Sequence, residues 1–407
     1  MLPVLFVVPA GCSMLPPATP DAPEGPTRGA AGVPCQFTAV TTDPGNHDVC
    51  YRFDWGDGRR SDWSPLLPPG EPVTMWHVPA EPGRFEVRVQ ARNAPGVAGG
   101  WSPASAVTID VTTGFPDTVI ATIAVGGDPT DIAVRPDGKY LYVANELVPE
   151  LTVVRARDRQ VVARVPCGRC PWMVNASPDG RWVYVSDATD ATVTVISTDD
   201  HRVAKTVPVG VSPAGACFSP DGSRAYVTSQ NSNSVTVLRL PSHTVIATVP
   251  VGNTPRDVDI LPGGDHLYVA NLHDNSLTRV RTADHVTVAT IPMPFRVHRV
   301  RALPGGEQVY ASEYHGSRVA VVSVADDRVI ATFESGPGVV GMCHLGAYAL
   351  AANSTAGTVT IVRPADRAVV GRVAVGAGPW SVHAPADGAF AATCDRRAQT
   401  VSVIGYR

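Results

Sequence analysis

The sequence predicts an all-β protein, a small β-sandwich followed by a ring of seven four-stranded units, on three observations. Turn signals recur every 42 residues from Pro136 onward. Each repeat holds four short apolar runs. Residues 24–113 lack that period but alternate apolar and polar side chains in short runs, which places one side chain inward and the next outward on a strand.

Composition agrees. The 407 residues exceed one ordinary core, so more than one domain is expected. With 44% hydrophobic and 17% charged residues, the chain has ample apolar surface to bury. The 37 Gly and 38 Pro are spread along it, as punctuation between many strands requires. Net charge is −4 and no Lys/Arg cluster appears, which argues against a general nucleic-acid or anionic-membrane surface.

Residues 1–23 are assigned to a signal segment and linker. The apolar run Leu2 to Ala10, followed by Gly11-Cys12-Ser13 and a Pro-rich stretch, resembles a bacterial lipoprotein signal with Cys12 as the candidate lipidated residue. It departs from that pattern in having no basic residues before the run and Pro9 where Leu is usual. The resemblance implies export to an extracellular, periplasmic or cell-surface location, with a lipid anchor if Cys12 is modified. Nothing downstream approaches the ~18 apolar residues of a spanning helix.

Residues 24–113 form the first domain. Its runs are Gln36–Val40, Val49–Phe53, Phe85–Ala91 and Ala106–Val111, and Asp54-Trp55-Gly56-Asp57-Gly58 closes a tight turn where Gly supplies positive φ. Tyr51 to Gly58, followed by Gly83-Arg84-Phe85-Glu86-Val87-Arg88-Val89, resembles a PKD or related immunoglobulin-like domain. That resemblance implies a spacer or adhesive module. Trp63-Ser64 and Trp101-Ser102 read as sandwich-packing aromatics in preference to a sugar-stacking pair. Cys35 and Cys50 are expected on neighbouring strands, joined by a disulfide in an oxidising compartment.

After a linker at 114–117, the repeat occupies 118–407. Pro136, Pro178, Pro220, Pro262 and Pro304 open Pro-(Asp/Gly)-Gly turns. The glycines continue from Gly138, Gly180, Gly222, Gly264 and Gly306 to Gly346 and Gly388, with one interval two residues short. In the fourth copy the runs are Asp257–Ile260, His266–Ala270, Ser276–Arg281 and Val286–Ile291. Four strands per repeat of this length mark the blade of a β-propeller. Tyr142-Val143-Ala144-Asn145, Tyr268-Val269-Ala270-Asn271 and the leader Val251-Gly252 to Pro255 resemble the YVTN repeat family, and not WD40 repeats. The sixth copy departs most, with Leu345-Gly346-Ala347 in place of the turn. Thr118–Ile123 reads as a fourth strand and Thr400–Ile404 as a third. Their pairing would close the seventh blade with strands from both ends of the propeller segment and leave no open edge.

In such a ring the loop entering each innermost strand and the loop after each second strand share one face. The first set brings Thr130-Asp131, Trp172-Met173, Ala214-Gly215, Arg256-Asp257, His298-Arg299, Val340-Gly341 and Trp380-Ser381 to the mouth of the central channel. This set does not repeat from blade to blade. Trp172, Arg256, Asp257, His298, Arg299 and Trp380 have the composition of a ligand-binding funnel and are the candidate site. The second set is Asn145, Asp187, Ser229, Asn271, Glu313, Asn353 and Asp395, residues expected to cap backbone. His273, His315, Asp274 and Glu313 could join His298 in a carboxylate–histidine cluster, against the simpler reading of solvated loop polarity. Asp200-His201, Asp284-His285 and Asp326-Asp327 recur in the turn on the opposite face, where backbone capping explains them.

Cys167-Gly168-Arg169-Cys170 admits a redox pair, half a zinc site or a local disulfide. Pro171 in place of His excludes covalent haem attachment, no second such motif supports zinc, and a loop-stiffening disulfide is the expectation. Cys217, Cys343 and Cys394 read as buried small hydrophobes. The predicted function is an exported envelope binding or scaffold protein that presents a propeller face to a protein, small-molecule or polymer ligand. It is expected to be a monomer with no metal and no cofactor. An enzyme at the channel mouth, a lyase or a metal-dependent redox protein, is the alternative. Nucleic-acid binding through Arg256, Arg299 and Arg301 is a weaker third reading.

Overall fold

The computed structural model describes residues 15–30, 35–77, 79, 83–110, 117–385 and 388–406. Cys12 and the apolar run before it lie outside them. The chain divides into two compact units, Met1–Thr112 and Thr113–Arg407.

In the first unit, one sheet orders Arg28–Ala30, Ser105–Asp110, Gly83–Asn93 and Val49–Asp54, with Ala98–Trp101 paired to the long strand. A second sheet pairs Cys35–Ala39 with Val73–His77. Alternation sends Val49, Tyr51, Phe53, Val87, Val89 and Ala91 into one core with Phe37 and Trp55. Trp55 stacks on Phe53 at 5.0 Å and on His77 at 4.7 Å, and Gly56 and Gly58 take φ of 78° and 86° at the turn beside it.

Two expectations fail here. Cys35 lies opposite His77 and Cys50 opposite Arg92, so the two are on strands of different sheets and not on neighbours. The Cys50 thiol instead donates to the Arg92 carbonyl oxygen. Trp63 and Trp101 are half-buried and do not pack the core. They interleave with arginines, the Arg92 guanidinium 4.4 Å and Arg52 4.8 Å from the Trp63 ring, and Arg52 5.3 Å and Arg60 5.1 Å from Trp101. The serines anchor the stack, since Ser64 Oγ accepts from Tyr51 N and Ser102 Oγ from Val89 N. Arginine attracted to an indole face accounts for the arrangement.

The second unit is a β-propeller of seven four-stranded sheets. Blades 1 to 6 span residues 129–166, 171–208, 213–250, 255–292, 297–334 and 339–374. Blade 7 combines Pro379–His383, Ala391–Asp395 and Thr400–Gly405 with Thr118–Ala124, Val401 lying opposite Ile123. The innermost strands neighbour one another in sequence around the ring, blade 7 against blade 1.

The innermost strands Pro129–Val134 and Pro213–Phe218 are buried along their whole length. Each core lies between blades. Tyr142, Leu151 and Val153 of blade 1 pack with Val174, Val183 and Val185 of blade 2. The fourth strands lie toward solvent.

The turn between first and second strands places Gly264 at φ 76°, where its N–H reaches Leu261 O at 2.8 Å. Blade 6 lacks that turn because its first strand runs on to Leu345 and reverses through Gly346 and Ala347 to Tyr348. On the same face, His201, His243, His285 and Asp327 each take positive φ in the turn before the fourth strand. Asp200 and Asp284 accept backbone N–H groups there, so these pairs are structural. Two of the histidines also meet Tyr Oη of the preceding blade, His201 with Tyr142 at 3.3 Å and His243 with Tyr184 at 2.8 Å.

Candidate functional site

Every blade enters its innermost strand through a β-bulge. Pairing jumps from Pro255 to Asp257 in blade 4, from Val297 to Val300 in blade 5 and from Pro379 to Ser381 in blade 7. The residues passed over, Arg256, His298-Arg299 and Trp380, are the candidate site residues, and Trp172 occupies the same place in blade 2. A bulge leaves a residue out of the ladder and re-aims its side chain. Proline has no N–H to give the ladder, so its presence at the bulge is inexpensive.

Four of these side chains, Trp172, Arg256, His298 and Trp380, converge at the mouth around Tyr314. The Arg256 guanidinium lies 5.1 Å from the Trp172 ring and 5.6 Å from the Tyr314 ring. His298 stands 5.4 Å from Tyr314 and 6.0 Å from Trp380. Arg256 donates from Nη1 to Gln230 Oε1 at 3.3 Å, while its buried Nε has no partner. Burial, reinforced by Arg299, pulls its pKa down to about 10 despite Tyr314, Asp257 and Glu146 nearby, so it remains a cation at neutral pH. His298 is 3% exposed with Nδ1 unpartnered, and burial, then Arg256 and Arg299, hold it well below the usual imidazole range, hence neutral.

Beneath the mouth, Arg299 fills the axis. Its Nη2 lies 3.4 Å from Asp131 of blade 1, and its Nη1 lies 3.6 Å from Met173 Sδ of blade 2 and 3.9 Å from Asp257 of blade 4. Asp131 Oδ2 also accepts Val174 N, and Asp257 Oδ2 accepts Val300 N. Asp259 repeats that pattern to Ala302 N and lies 3.6 Å from Arg301. Each of these carboxylates therefore ties its own inner strand to the next blade. Burial pushes the Asp257 and Asp259 carboxyls up, against the pull of Arg299 and Arg301. Asp257 and Arg299 form the floor of the site and are committed to one another.

The second set is structural. Asn271 Nδ2 donates to Ser276 and Thr278 hydroxyls, Asn353 to Thr358 and Thr360, and Asp187 accepts from Thr192 and Thr194. This explains the Val-Gly leader: a Cβ on Gly252 would sit 2.5 Å from Asn271 Cγ. The carboxylate–histidine cluster does not assemble. Glu313 is taken by Arg318, Asp274 by Asn253 N and His273 by Thr254 Oγ1. Among the described residues no trio of His, Cys, Asp or Glu is placed to hold a metal ion.

Cys167 and Cys170 stand as two free thiols and not as the expected disulfide. Alignment of the blades gives the reason for their spacing. Cys167 occupies the leader position held by Val209, Val251 and Val375, and Cys170 the left-handed position held by Ser212 and Thr254, with φ 56° against 56° and 57°. Burial, then Asp187 and Glu150, push the Cys167 thiol up to about 12, opposite to the shift a redox-active thiol needs.

Sequence reasoning missed one ring. The residue following each second-set cap pairs its N–H with the carbonyl just before the inner strand, as in Tyr314 N to Arg296 O at 2.7 Å. That ring contributes Glu146, Gln230, Tyr314 and Arg396 to the mouth. Arg396 stacks at 5.1 Å on Trp380 and pairs with Asp128 at 2.5 Å and with Glu146. The 42-residue register pointed to these positions, one residue beyond the caps.

The family model described as lactonase, 7-bladed beta-propeller, matches residues 108–207 and 202–287. Among solved structures, hydrazine synthase of Kuenenia stuttgartiensis is similar at 22% identity, with a TM-score of 0.62 over 72% of this chain and 99% of that one. A likeness at that identity shows the fold alone. No curated protein matches.

Proposed function

We propose that the protein is an exported envelope binding protein in which a YVTN-type propeller, closed by strands from both ends of its segment, presents its channel mouth to a ligand. The N-terminal unit is then a PKD-like, immunoglobulin-like spacer. The single observation that carries the binding role is the cluster of Trp172, Arg256, Tyr314, His298 and Trp380 above a floor closed by Arg299. A mostly apolar concavity with a few convergent polar groups is the usual form of a ligand site. The apolar run before Gly11-Cys12 supports export.

Hydrogen exchange of the full chain, with and without an envelope extract, tests this reading. Protection is expected in segments 169–173, 253–257, 295–299 and 313–315, and is expected to disappear in Trp172→Ala. Protection confined to the outer strands would refute it.

The lactonase family match favours a second reading, an enzyme at the same mouth. His298 is a neutral base there, with Nδ1 unengaged among the described residues. Absence of lactone hydrolysis by the full chain would remove that reading, and hydrolysis that survives in His298→Ala would remove His298 as its base.

A further inference from the structure

The charges at the mouth do not cancel locally. Asp128 and Glu146 are engaged by Arg396. Asp131 and Asp257 are engaged by Arg299 and by backbone N–H groups, and Glu313 by Arg318. Arg256 is the exception. Among the described residues it has no carboxylate partner, and a single long hydrogen bond to a neutral amide serves one of its five N–H donors. Its planar faces lie against two aromatic rings, so its donors are left at the edge. A half-buried guanidinium so placed has no directly bonded carboxylate to compensate its desolvation.

We infer that the channel mouth binds a small organic monoanion, whose carboxylate takes the open donors of Arg256 while its flat carbon body packs among Trp172, Tyr314 and Trp380. This rests on the mouth being the binding site, and adds the ligand's chemistry. The carboxylate follows from the guanidinium fork, which matches two oxygens side by side. A single negative charge follows from Arg256 being, among the described residues, the one uncommitted cation between the aromatic rings. The flat, apolar body follows from a wall of three aromatic rings beside His298, which offers stacking faces. A phosphate dianion would call for a second cation among the aromatic rings, and the other arginines there, Arg299 and Arg396, are already paired; Arg296 stands exposed at the rim.

Isothermal titration of the full chain with benzoate, benzamide and inorganic phosphate tests the inference without relying on a variant to fold. Benzoate is expected to bind at least tenfold more tightly than benzamide or phosphate, with affinity falling as NaCl is raised. Arg256→Gln is expected to abolish the preference for benzoate over benzamide. Benzamide binding as well as benzoate would overturn the anion and leave the mouth as a binding site. Phosphate equalling benzoate would overturn the carboxylate. Silence with all three probes, while envelope extract still protects the mouth loops, would overturn the inference alone; silence with loss of that protection would refute both.

Discussion

Two arginines flank the channel mouth, each 5.1 Å from an indole, Arg256 against Trp172 and Arg396 against Trp380. Their surroundings differ in one respect. Arg396 holds two carboxylates, Asp128 and Glu146, and so bridges blade 7 to blade 1. Arg256 holds none. The same side chain on the same kind of platform is thus a latch on one side and a cation without a carboxylate on the other. What separates them is whether the protein itself supplies the anion.

The largest test strikes the floor between them. Arg299→Met removes the cation from Asp131 and Asp257 and leaves two buried carboxylates facing each other. A loss of about 3–5 kcal/mol is expected in denaturant unfolding. A loss near zero would mean that the floor does not separate the two sides electrostatically.

Acid comes next. His344 and His383 are held at about 4, in both cases chiefly by burial. Unfolded, each titrates near ~6.5. The unfolded chain therefore binds their protons first as pH falls, and the stability present above about pH 6.5 drains away toward about pH 4. By pH 5 the loss is about 2 kcal/mol for each, partly offset by Asp257 and Asp259, whose raised carboxyls work in the opposite sense. Melting curves at pH 7.5 and 5.0 would register this, and His383→Gln should flatten the difference.

The latch itself gives a smaller effect. Arg396→Gln should cost about 2 kcal/mol, since the trio is only partly buried, whereas Arg256→Gln should change stability by less than about 0.5 kcal/mol. Equal losses at the two sites would erase the distinction between them. The smallest effect is expected from Cys167→Val, which restores the side chain found at that position in other blades and should move stability by less than about 1 kcal/mol. A large loss would mean that Cys167 does more than fill the leader position.

The blades and the candidate mouth residues were legible because a 42-residue period carries both strands and loops. Arg256, His298, Trp172 and Trp380 stood out by breaking the repeat at a fixed place in it. Their separate roles were not legible. Whether Arg299 closes the floor or binds a ligand depends on which side chains reach across the ring, and spacing along the chain is silent on that. The Cys-x-x-Cys pair misled for a related reason, because two unrelated repeat positions both happened to hold cysteine. Trp63 and Trp101 misled because an aromatic can satisfy its face with a cation as well as with a core.

Arg299, reaching from blade 5 to Asp131 of blade 1, makes the axis a blind vestibule and not a bore. Whatever occupies the mouth must depart by the door through which it came. Entry and exit then share one route, so a rim change that makes no contact with the occupant should alter both rates together and leave the equilibrium nearly where it was. Two occupants would have to take turns.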